Sequence, residues 1–217
     1  MTNELLNAQQ AFEPKVDGVT AAPAVVVCGG MGGSALPAEA LRFLGVTSYV
    51  IAHRDYGLPA SVPEGAQYVA LSYSGNTEET LSFAHEALAQ GHALSVITSG
   101  GELLALAKER GLPHVRVPSG LVPREALLYM IKALLALLGE EHAGADTSFD
   151  AISAEEEGAA LAPSLHGLTP LFYASTRNAF LPRLGAILMN ETAKMPAFGM
   201  LPQAEIAEIA AYLKGLQ

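Results

Sequence analysis

The 217-residue sequence is poor in several residue types that mark particular classes of protein. Cys28 is its single cysteine, so neither an internal disulfide nor a thiolate metal cluster can form. Basic side chains are also few: 12 Lys and Arg face 22 Asp and Glu, which gives a formal net charge of −10. This balance argues against nucleic acid or an anionic membrane as a partner.

Long hydrophobic runs are missing as well. Half of the residues are hydrophobic, but the surplus is mostly Ala and Leu, and no uninterrupted apolar run is long enough to span a bilayer. The first residues lack the basic and apolar regions of a signal peptide. The six histidines show no metal-ligand spacing, so we assign no metal. These features predict a soluble, cytoplasmic protein.

What the sequence does contain is an alternation of strand-like and helix-like segments. Continuous apolar runs predict five buried parallel strands, at residues 24–28, 49–52, 68–71, 93–98 and 114–117. Helical patterns between them predict an α/β fold, with a parallel sheet covered on both faces in three αβα layers. A polar stretch at 139–150 predicts a linker, which divides the chain into domains 1–140 and 141–217. In the second domain, helical patterns predict helices at about 184–194 and 203–216.

The segment Ser-Tyr-Ser-Gly-Asn-Thr at residues 72–77 follows the third strand and opens a helix. Its hydroxyls, its glycine and the positive end of that helix suit a phosphate group, and no basic side chain is needed. The same residue types are common helix N-caps, so a capped turn explains this segment about equally well.

Two further Gly/Ser/Thr loops follow predicted strands, at residues 29–34 and 98–101. The Gly-Gly-Met-Gly-Gly-Ser run at 29–34 has the wrong spacing for a dinucleotide fingerprint, and His53 stands where that fingerprint needs an acid. No Gly-Lys-Ser/Thr follows, which excludes a P-loop. Two explanations of the 29–34 run are left: a turn that lets a sugar or phosphate approach the backbone, or simply a tight turn between strand and helix. Ligands bind at the carboxyl ends of parallel strands, where all three loops are expected.

Two charged residues in the second half of the chain are candidates for chemistry. Arg124 is predicted to begin a long helix, 124–138, where a basic residue is mildly unexpected, and it either faces solvent or shares an anion with the helix end. Glu191 flanks an apolar stretch near Lys194, and an exposed helical ion pair is the commoner explanation for it.

Taken in order, these segments resemble one family. Residues 29–34, 72–80, 98–101, 122–124 and 190–197 (the last reading Asn-Glu-Thr-Ala-Lys-Met-Pro-Ala) look like motifs of the bifunctional phosphoglucose/phosphomannose isomerases, which are built from two sugar isomerase (SIS) domains. The similarity runs from about Val25 to Ile206 and is stronger in the first domain. It implies an SIS-type fold for residues 1–140 and a truncated second SIS-like unit at 141–217.

The resemblance also implies roles for particular residues. Ser34, Ser72, Ser74 and Thr77, with Gly33, would bind a sugar phosphate, with its phosphate on the 72–77 loop. Arg124 would steady an enediolate, and Glu191 would move a proton between C1 and C2. Aldose–ketose isomerisation needs a carboxylate near the carbon beside a carbonyl and a cation or donor at the oxygen that gains charge. It needs no cofactor.

The chain departs from the family near its end. Gln203 stands where the family has a histidine that opens the sugar ring, and Lys214 is a weak match for the family's C-terminal lysine. Three hypotheses follow. The first is a hexose 6-phosphate isomerase acting on glucose or mannose 6-phosphate and fructose 6-phosphate. The second is a non-catalytic sugar-phosphate-binding protein, and the third is a purely structural dimer partner. Uncovered Ala/Leu-rich surface predicts a homodimer.

Overall fold

The computed structural model describes residues 3–18, 23–46, 48–140, 151–175 and 178–199. The chain divides into two compact units, residues 1–152 and 153–217, and each is described by itself. Within the described residues no helix is both long and apolar enough to cross a membrane.

The first unit is built around a six-stranded sheet. The strands are β1 (Val16–Asp17), β2 (Val25–Gly30), β3 (Tyr49–His53), β4 (Gln67–Leu71), β5 (Leu94–Thr98) and β6 (His114–Arg116). The helices are α1 (Asn3–Ala11), α2 (Leu36–Leu44), α3 (Glu78–Ala89), α4 (Gly101–Arg110) and α5 (Leu127–Leu137).

The strand order is β1-β6-β5-β4-β2-β3, and β2 to β6 are all parallel. The predicted α/β fold with five parallel strands is therefore confirmed. The two-residue strand β1, which the sequence pattern assigns to a loop, adds an antiparallel edge against β6. Two residues are too few to show the alternation that marks a strand in a sequence.

The sheet buries both of its faces, as the continuous apolar runs predict. Val26 and Val69 point to one face, where they pack with α2 and α5. Val27 and Tyr68, their neighbours in the chain, point to the other face and pack with α3 and α4. Because successive side chains of a strand alternate between faces, each strand contributes to both cores, which gives three αβα layers.

Helix α2 has a proline in its first turn and a glycine at its end, which are both suited to those positions. Pro37 lies in the first turn of α2, where its missing N–H costs no hydrogen bond. Gly45 ends the same helix in the left-handed region, with φ +73°, and its N–H donates to the carbonyl of Leu41.

The described residues from 151 onward form a short parallel pair of strands and two α-helices, and the first helix begins two residues before the second unit. They are α6 (Ala151–Leu165), β7 (Leu171–Phe172), α7 (Phe180–Leu188) and β8 (Phe198–Gly199), and a π-helical turn, Met189–Ala193, continues α7. The sequence predicts one helix over 184–194, whereas the α-helix ends at Leu188. The helix predicted at 203–216 lies outside the described residues.

Candidate functional site

The candidate site lies between β2 and β4, where the order of the strands in the sheet reverses: β3 lies on one side of β2, and β4, β5 and β6 lie on the other. Strands β2 and β4 are parallel neighbours, so their carboxyl ends meet at one edge. The helix after β2 packs on one face of the sheet and the helix after β4 packs on the other. A crevice outside the carboxyl ends of the strands at such a switch point is where open α/β sheets bind ligands. The loops 29–34 and 72–77 both lie there.

The glycines of the first loop let the backbone pass close to its neighbours. A Cβ on Gly29 would come within 2.5 Å of the Phe83 ring, and one on Gly30 within 2.8 Å of the Leu71 carbonyl oxygen. A 3₁₀ turn, Gly32–Ala35, follows and directs Ser34 inward. The buried Ser34 Oγ accepts a hydrogen bond from the backbone N–H of Tyr73 at 3.0 Å. This bond joins the two loops.

The second loop is organised by its own hydroxyls. Ser72 Oγ accepts the Gly75 N–H at 3.0 Å and lies 2.9 Å from Thr77 Oγ1. Ser74 is exposed, and its Oγ accepts the Asn76 N–H at 3.3 Å. Thr77 is the N-cap residue of α3 but, among the described residues, its side chain caps no amide of that helix. The first-turn amides of α3 are thus left without a hydroxyl cap beside an exposed serine.

The third loop, 98–101, supports the second one. Gly75 has φ +75°, and a Cβ there would collide with the carbonyl oxygen of Gly100. The carbonyl of Gly75 in turn accepts the Leu103 N–H at 2.9 Å, and Asn76 Oδ1 accepts the Glu102 N–H at 3.0 Å. The two loops are therefore in direct contact, and only glycine fits at position 75.

Tyr73 joins these loops to the segment that follows β6, and sequence reasoning assigned it no role. Its carbonyl accepts both the N–H and the hydroxyl of Ser99, at 3.0 and 2.6 Å. Its phenol donates to the carbonyl of Pro118 at 2.9 Å and accepts the Leu121 N–H at 3.0 Å. Tyr73 stands inside the Ser-Tyr-Ser motif, but its partners lie 45 and 48 residues further along the chain, beyond the reach of a local sequence pattern.

Arg124 lies beside the first loop. A Cβ on Gly33 would come within 3.1 Å of the Arg124 backbone nitrogen, so the two backbones are in contact. The prediction that Arg124 begins a helix is wrong: α5 starts at Leu127, and residues 123–126 form a turn in which the Ala126 N–H donates to the Pro123 carbonyl. In the overlapping turn 122–125, closed by the Glu125 N–H and the Val122 carbonyl, Pro123 is the second residue, where its fixed φ is favoured. Arg124 is half-buried.

The helix α1 also holds this turn, through a contact between residues too far apart in the chain for a local sequence pattern to predict. The buried side chain of Gln9 donates through Nε2 to the Glu125 carbonyl at 2.5 Å. Lys132 donates through Nζ to the Gln10 carbonyl at 2.6 Å, near the end of α1. The turn that carries Arg124 is therefore held by a side chain of α1, and α1 is itself bonded to Lys132 of α5.

Glu191 belongs to the second unit and lies on its π-helical turn, half-buried. The neighbouring Asn190 makes two hydrogen bonds with the backbone of Ala197: Nδ2 donates to its carbonyl at 3.0 Å, and Oδ1 accepts its N–H at 2.8 Å. Lys194 ends the turn with φ +55°, a conformation that is uncommon away from glycine. Single π-turns inside α-helices are frequent at functional sites.

The charges at the start of α3 are acidic. Glu78 and Glu79 occupy its first turn, and Tyr56 donates to Glu78 Oε2 at 3.3 Å. The negative charge of Glu79 is the largest cause that raises the pKa of Tyr56. An anion at this loop must therefore be held by amide and hydroxyl donors. Across the described ranges, no cluster of three or more His, Cys, Asp or Glu side chains could hold a metal ion.

Of the residues predicted from the sequence, Gly33, Ser34, Ser72, Thr77 and Arg124 are thus linked through direct contacts in the first unit, with the exposed Ser74 in the same loop. Glu191 is described within the second unit. Gln203 and Lys214 lie outside the described residues.

Known proteins resemble this chain in sequence. A bifunctional phosphoglucose/phosphomannose isomerase from Aquifex aeolicus is 34% identical over 195 residues, which cover 85% of this chain and 61% of the relative. Another from Caldicellulosiruptor bescii is 45% identical over 115 residues, or 52% of this chain and 34% of the relative. A D-glucosamine-6-phosphate 4-epimerase from Sulfolobus acidocaldarius is 32% identical over 216 residues, 94% of this chain and 69% of the relative. No protein-family model matches.

Solved structures share the fold. Two provisionally assigned phosphosugar isomerases, from Clostridium difficile 630 and Salmonella typhimurium LT2, give TM-scores of 0.55 and 0.56 at 14% and 13% identity. They align over 91% and 89% of this chain, and over 62% and 64% of their own. At this identity the likeness establishes an SIS-type αβα fold.

Proposed function

Because the chain belongs to the family of the bifunctional phosphoglucose/phosphomannose isomerases, we propose that it binds a hexose 6-phosphate and interconverts its aldose and ketose forms. The chain spans 61% of the Aquifex relative and 34% of the Caldicellulosiruptor relative, so the activity of those whole proteins is a proposal here. One observation supports it most: the 29–34 and 72–77 loops and the Arg124 backbone meet at the switch point of the sheet.

The phosphate is proposed to lie on the 72–77 loop. Ser74 is exposed at the start of α3, where the helix dipole and uncapped amides favour an anion. Ser72 and Thr77 hold the loop in shape through their mutual hydrogen bond, with Oγ atoms 2.9 Å apart, and they can turn donors toward a ligand. With the phosphate there, the sugar is proposed to extend toward Gly33 and Ser34, next to Arg124.

The chemistry proposed is proton transfer through an enediolate. A carboxylate, assigned to Glu191, takes the proton from C2 of the open aldose. The electron pair of that C–H bond forms the C1=C2 double bond, and negative charge develops on the former carbonyl oxygen. Arg124 stabilises this charge with its guanidinium. A proton passes from the C2 hydroxyl to the former carbonyl oxygen on C1, the C2–O bond becomes the new carbonyl, and Glu191 returns its proton to C1 to give the ketose. No electron leaves the sugar, so no redox cofactor is required.

The test is NMR of fructose 6-phosphate in D₂O with purified protein. An isomerase of this type produces aldose 6-phosphate with deuterium at C2, and Glu191→Gln abolishes both signals while sugar-phosphate binding is kept. Glu157→Gln, at an exposed position on α6, is the matched control and keeps wild-type turnover. Binding without product or exchange in the wild type would remove the isomerase and leave the non-catalytic sugar-phosphate-binding protein.

A second activity is favoured by one observation: the similarity to the D-glucosamine-6-phosphate 4-epimerase covers 94% of this chain. That activity would use the same phosphate loop with an amino sugar. Incubation with glucosamine 6-phosphate distinguishes the two, because epimerisation yields the C4 epimer whereas C1–C2 isomerisation of fructose 6-phosphate yields an aldose.

We also propose that residues 141–217 form a second SIS-like unit and that the protein acts as a homodimer in the cytoplasm. Among the described residues of 151–199, large hydrophobic side chains are exposed, including Ile152 at 58%, Leu161 at 56% and Leu168 at 58%. Such surface is usually covered by another protein surface. Light scattering tests the dimer, and a monomeric mass would refute it.

A further inference from the structure

We propose that the hydroxyl of Tyr73 is a positioning group that sets the place of Arg124 relative to the 72–77 loop. This inference depends on the proposed function, in which Arg124 stabilises the negative charge of the enediolate. It assigns to Tyr73 a role that differs from binding: the tyrosine is not expected to touch the sugar. It acts through the backbone of the segment between β6 and α5.

The phenol occupies the middle of a turn. Residues 118–121 read Pro-Ser-Gly-Leu, and Gly120 has φ +100°. A positive φ at the third residue is typical of a β-turn that is closed by a hydrogen bond from the fourth N–H to the first carbonyl. Here the Tyr73 hydroxyl donates to the first carbonyl, of Pro118, at 2.9 Å and accepts the fourth N–H, of Leu121, at 3.0 Å. The hydroxyl thus acts as a spacer.

If the Tyr73 hydroxyl is removed, the turn at residues 118–121 must adopt a different hydrogen-bonding arrangement. Without the hydroxyl oxygen, the Pro118 carbonyl and the Leu121 N–H either approach each other to bond directly or are left without their partner. Pro118 is exposed and Leu121 is half-buried, so solvent can also take the place of the hydroxyl. In either arrangement the turn is no longer tied to Tyr73. Closure would draw Leu121 toward Pro118. The length of the turn, and with it the position of the chain that follows, depends on one oxygen atom.

A shift of Leu121 would affect Arg124 through only a few residues of backbone. Arg124 is three residues beyond Leu121, and the turn between them is stiffened by the Glu125 N–H, which donates to the Val122 carbonyl at 2.9 Å. The Arg124 backbone is packed against Gly33, and Ser34 next to it accepts the Tyr73 N–H. Tyr73 is therefore bonded to Ser34 through its backbone N–H, and to the turn before Arg124 through its hydroxyl.

The ring and the hydroxyl have separable roles. Tyr73 is 4% exposed, and its ring belongs to the core cluster that also contains Val117 and Tyr129. Phenylalanine would keep this packing and remove only the oxygen. Burial raises the pKa of Tyr73, so the hydroxyl keeps the proton that it donates to Pro118.

The experiment compares Tyr73→Phe with Tyr68→Phe, which removes a hydroxyl from an equally buried tyrosine, 4% exposed, in the other core cluster. For fructose 6-phosphate we expect Tyr73→Phe to lower kcat about 10- to 100-fold and to leave KM within about 3-fold, because orientation is lost while phosphate binding is kept. Tyr68→Phe should change neither quantity by more than about 2-fold.

Binding of two unreactive ligands gives a readout without turnover. 5-Phosphoarabinonate carries a carboxylate where the enediolate carries its charge, whereas sorbitol 6-phosphate has no such charge. Tyr73→Phe should weaken the first ligand about 10-fold and leave the second unchanged, because only the first uses Arg124. In the Arg124→Ala background, Tyr73→Phe should cause no further loss, since a group that acts through another has no effect once that other is gone.

Each result decides between the alternatives. Equal kinetics and equal affinities in Tyr73→Phe and Tyr68→Phe would overturn the inference while the isomerase stands, and so would losses that multiply with Arg124→Ala. A joint loss of affinity for both ligands would also overturn it, since it would show general damage to the loop. If the wild type binds neither ligand and turns over no fructose 6-phosphate, the proposed function fails, and the role of Tyr73 fails with it.

Discussion

At the residue scale, the hydroxyls of the candidate site are engaged with the protein before any ligand arrives. Ser34 accepts from Tyr73, Ser72 from Gly75 and Ser74 from Asn76, each through a backbone N–H. These bonds fix the shape of the loops, so less ordering is needed when a ligand binds. The glycines have the complementary task of keeping the space between the loops free of side chains.

Gly75→Ala is expected to damage both the fold and the site. Its φ of +75° strains any other residue, and the added Cβ would meet the Gly100 carbonyl. We expect a loss of about 3 kcal/mol in the free energy of unfolding and a loss of sugar-phosphate binding. Gly45→Ala is the matched control: its φ is +73°, but its Cβ would meet nothing within 4 Å, so it should lose only about 1 kcal/mol. Urea unfolding measures both, and equal losses would contradict the steric argument.

Cys28 predicts a dependence of stability on alkaline pH. Complete burial raises the pKa of its thiol from 9.0 to about 12. The folded state keeps the thiol neutral, whereas the unfolded chain ionises it above pH 9.0, so its contribution to stability is full below pH 9.0 and is lost as the pH rises toward about 12.

The expected size of this effect at about pH 10.5 is about 2 kcal/mol relative to about pH 8. Because tyrosines and lysines titrate in the same range, the comparison is with Cys28→Ala, which lacks the thiol and should lose less stability over that interval. Denaturant unfolding at the two pH values gives the difference. Identical pH dependence in the two proteins would show that the thiol is not buried as described.

At the scale of elements, two short irregular segments carry the candidate chemistry. In the first unit this is the turn 123–126, which the chain forms in place of the first turn of α5. In the second unit it is the π-turn Met189–Ala193 at the end of α7. The first presents Arg124 from a turn that is bonded to the distant Gln9, and the second presents Glu191 from a turn that is closed by the local hydrogen bonds between Asn190 and Ala197. Functional side chains are commonly presented by such non-repetitive backbone on a rigid scaffold.

Asn190→Ala is expected to separate catalysis from binding. The amide of Asn190 closes the segment 190–197 through its two hydrogen bonds to Ala197, at 2.8 and 3.0 Å, and so fixes the turn that carries Glu191. Its loss should lower kcat for fructose 6-phosphate about 10- to 100-fold, since small displacements of a reacting group are costly. Affinity for sorbitol 6-phosphate should be unchanged.

Asn190→Asp provides a graded comparison for this prediction. The carboxylate still accepts the Ala197 N–H, but it cannot donate to the Ala197 carbonyl, so one of the two bonds is kept. Its kcat should lie between those of the wild type and Asn190→Ala. Wild-type turnover in Asn190→Ala would show that the two hydrogen bonds between Asn190 and Ala197 do not orient Glu191.

At the scale of the whole molecule, the net charge of −10 opposes an anionic ligand through space. At the proposed site, a sugar phosphate would therefore be bound by local donors, namely the amides and hydroxyls of the 72–77 loop and the first turn of α3. Such donors act over short distances and need the loop to be folded. Ligand binding and folding are consequently linked.

A sugar phosphate is expected to raise the melting temperature of the protein. At a free ligand concentration about 100 times Kd, fructose 6-phosphate should add about 2.7 kcal/mol to the free energy of unfolding, because it binds the folded state alone. Differential scanning fluorimetry measures the shift. Fructose without phosphate is the control and should give none. An equal shift from both sugars, or no shift from either, would contradict a phosphate site on this loop.

Local patterns in the sequence are enough to predict the layers of the fold and the places of the candidate loops along the chain. Apolar runs such as Val25–Cys28 predicted buried parallel strands, because a strand covered on both faces is apolar throughout. The Gly/Ser/Thr residues after β2 and β4 predicted loops at one edge, because parallel strands end on the same side of their sheet. Both signals are local, so a single sequence carries them.

The tertiary structure decided what those loops contact. The Tyr73 hydroxyl meets partners 45 and 48 residues away, and Gln9 reaches a carbonyl 116 residues away. Arg124 lies in a turn because its backbone packs on Gly33 and its flanks are bonded to distant elements, although its helical pattern favours α5. Contacts between residues so far apart depend on how strands and helices pack together, and no local periodicity encodes them.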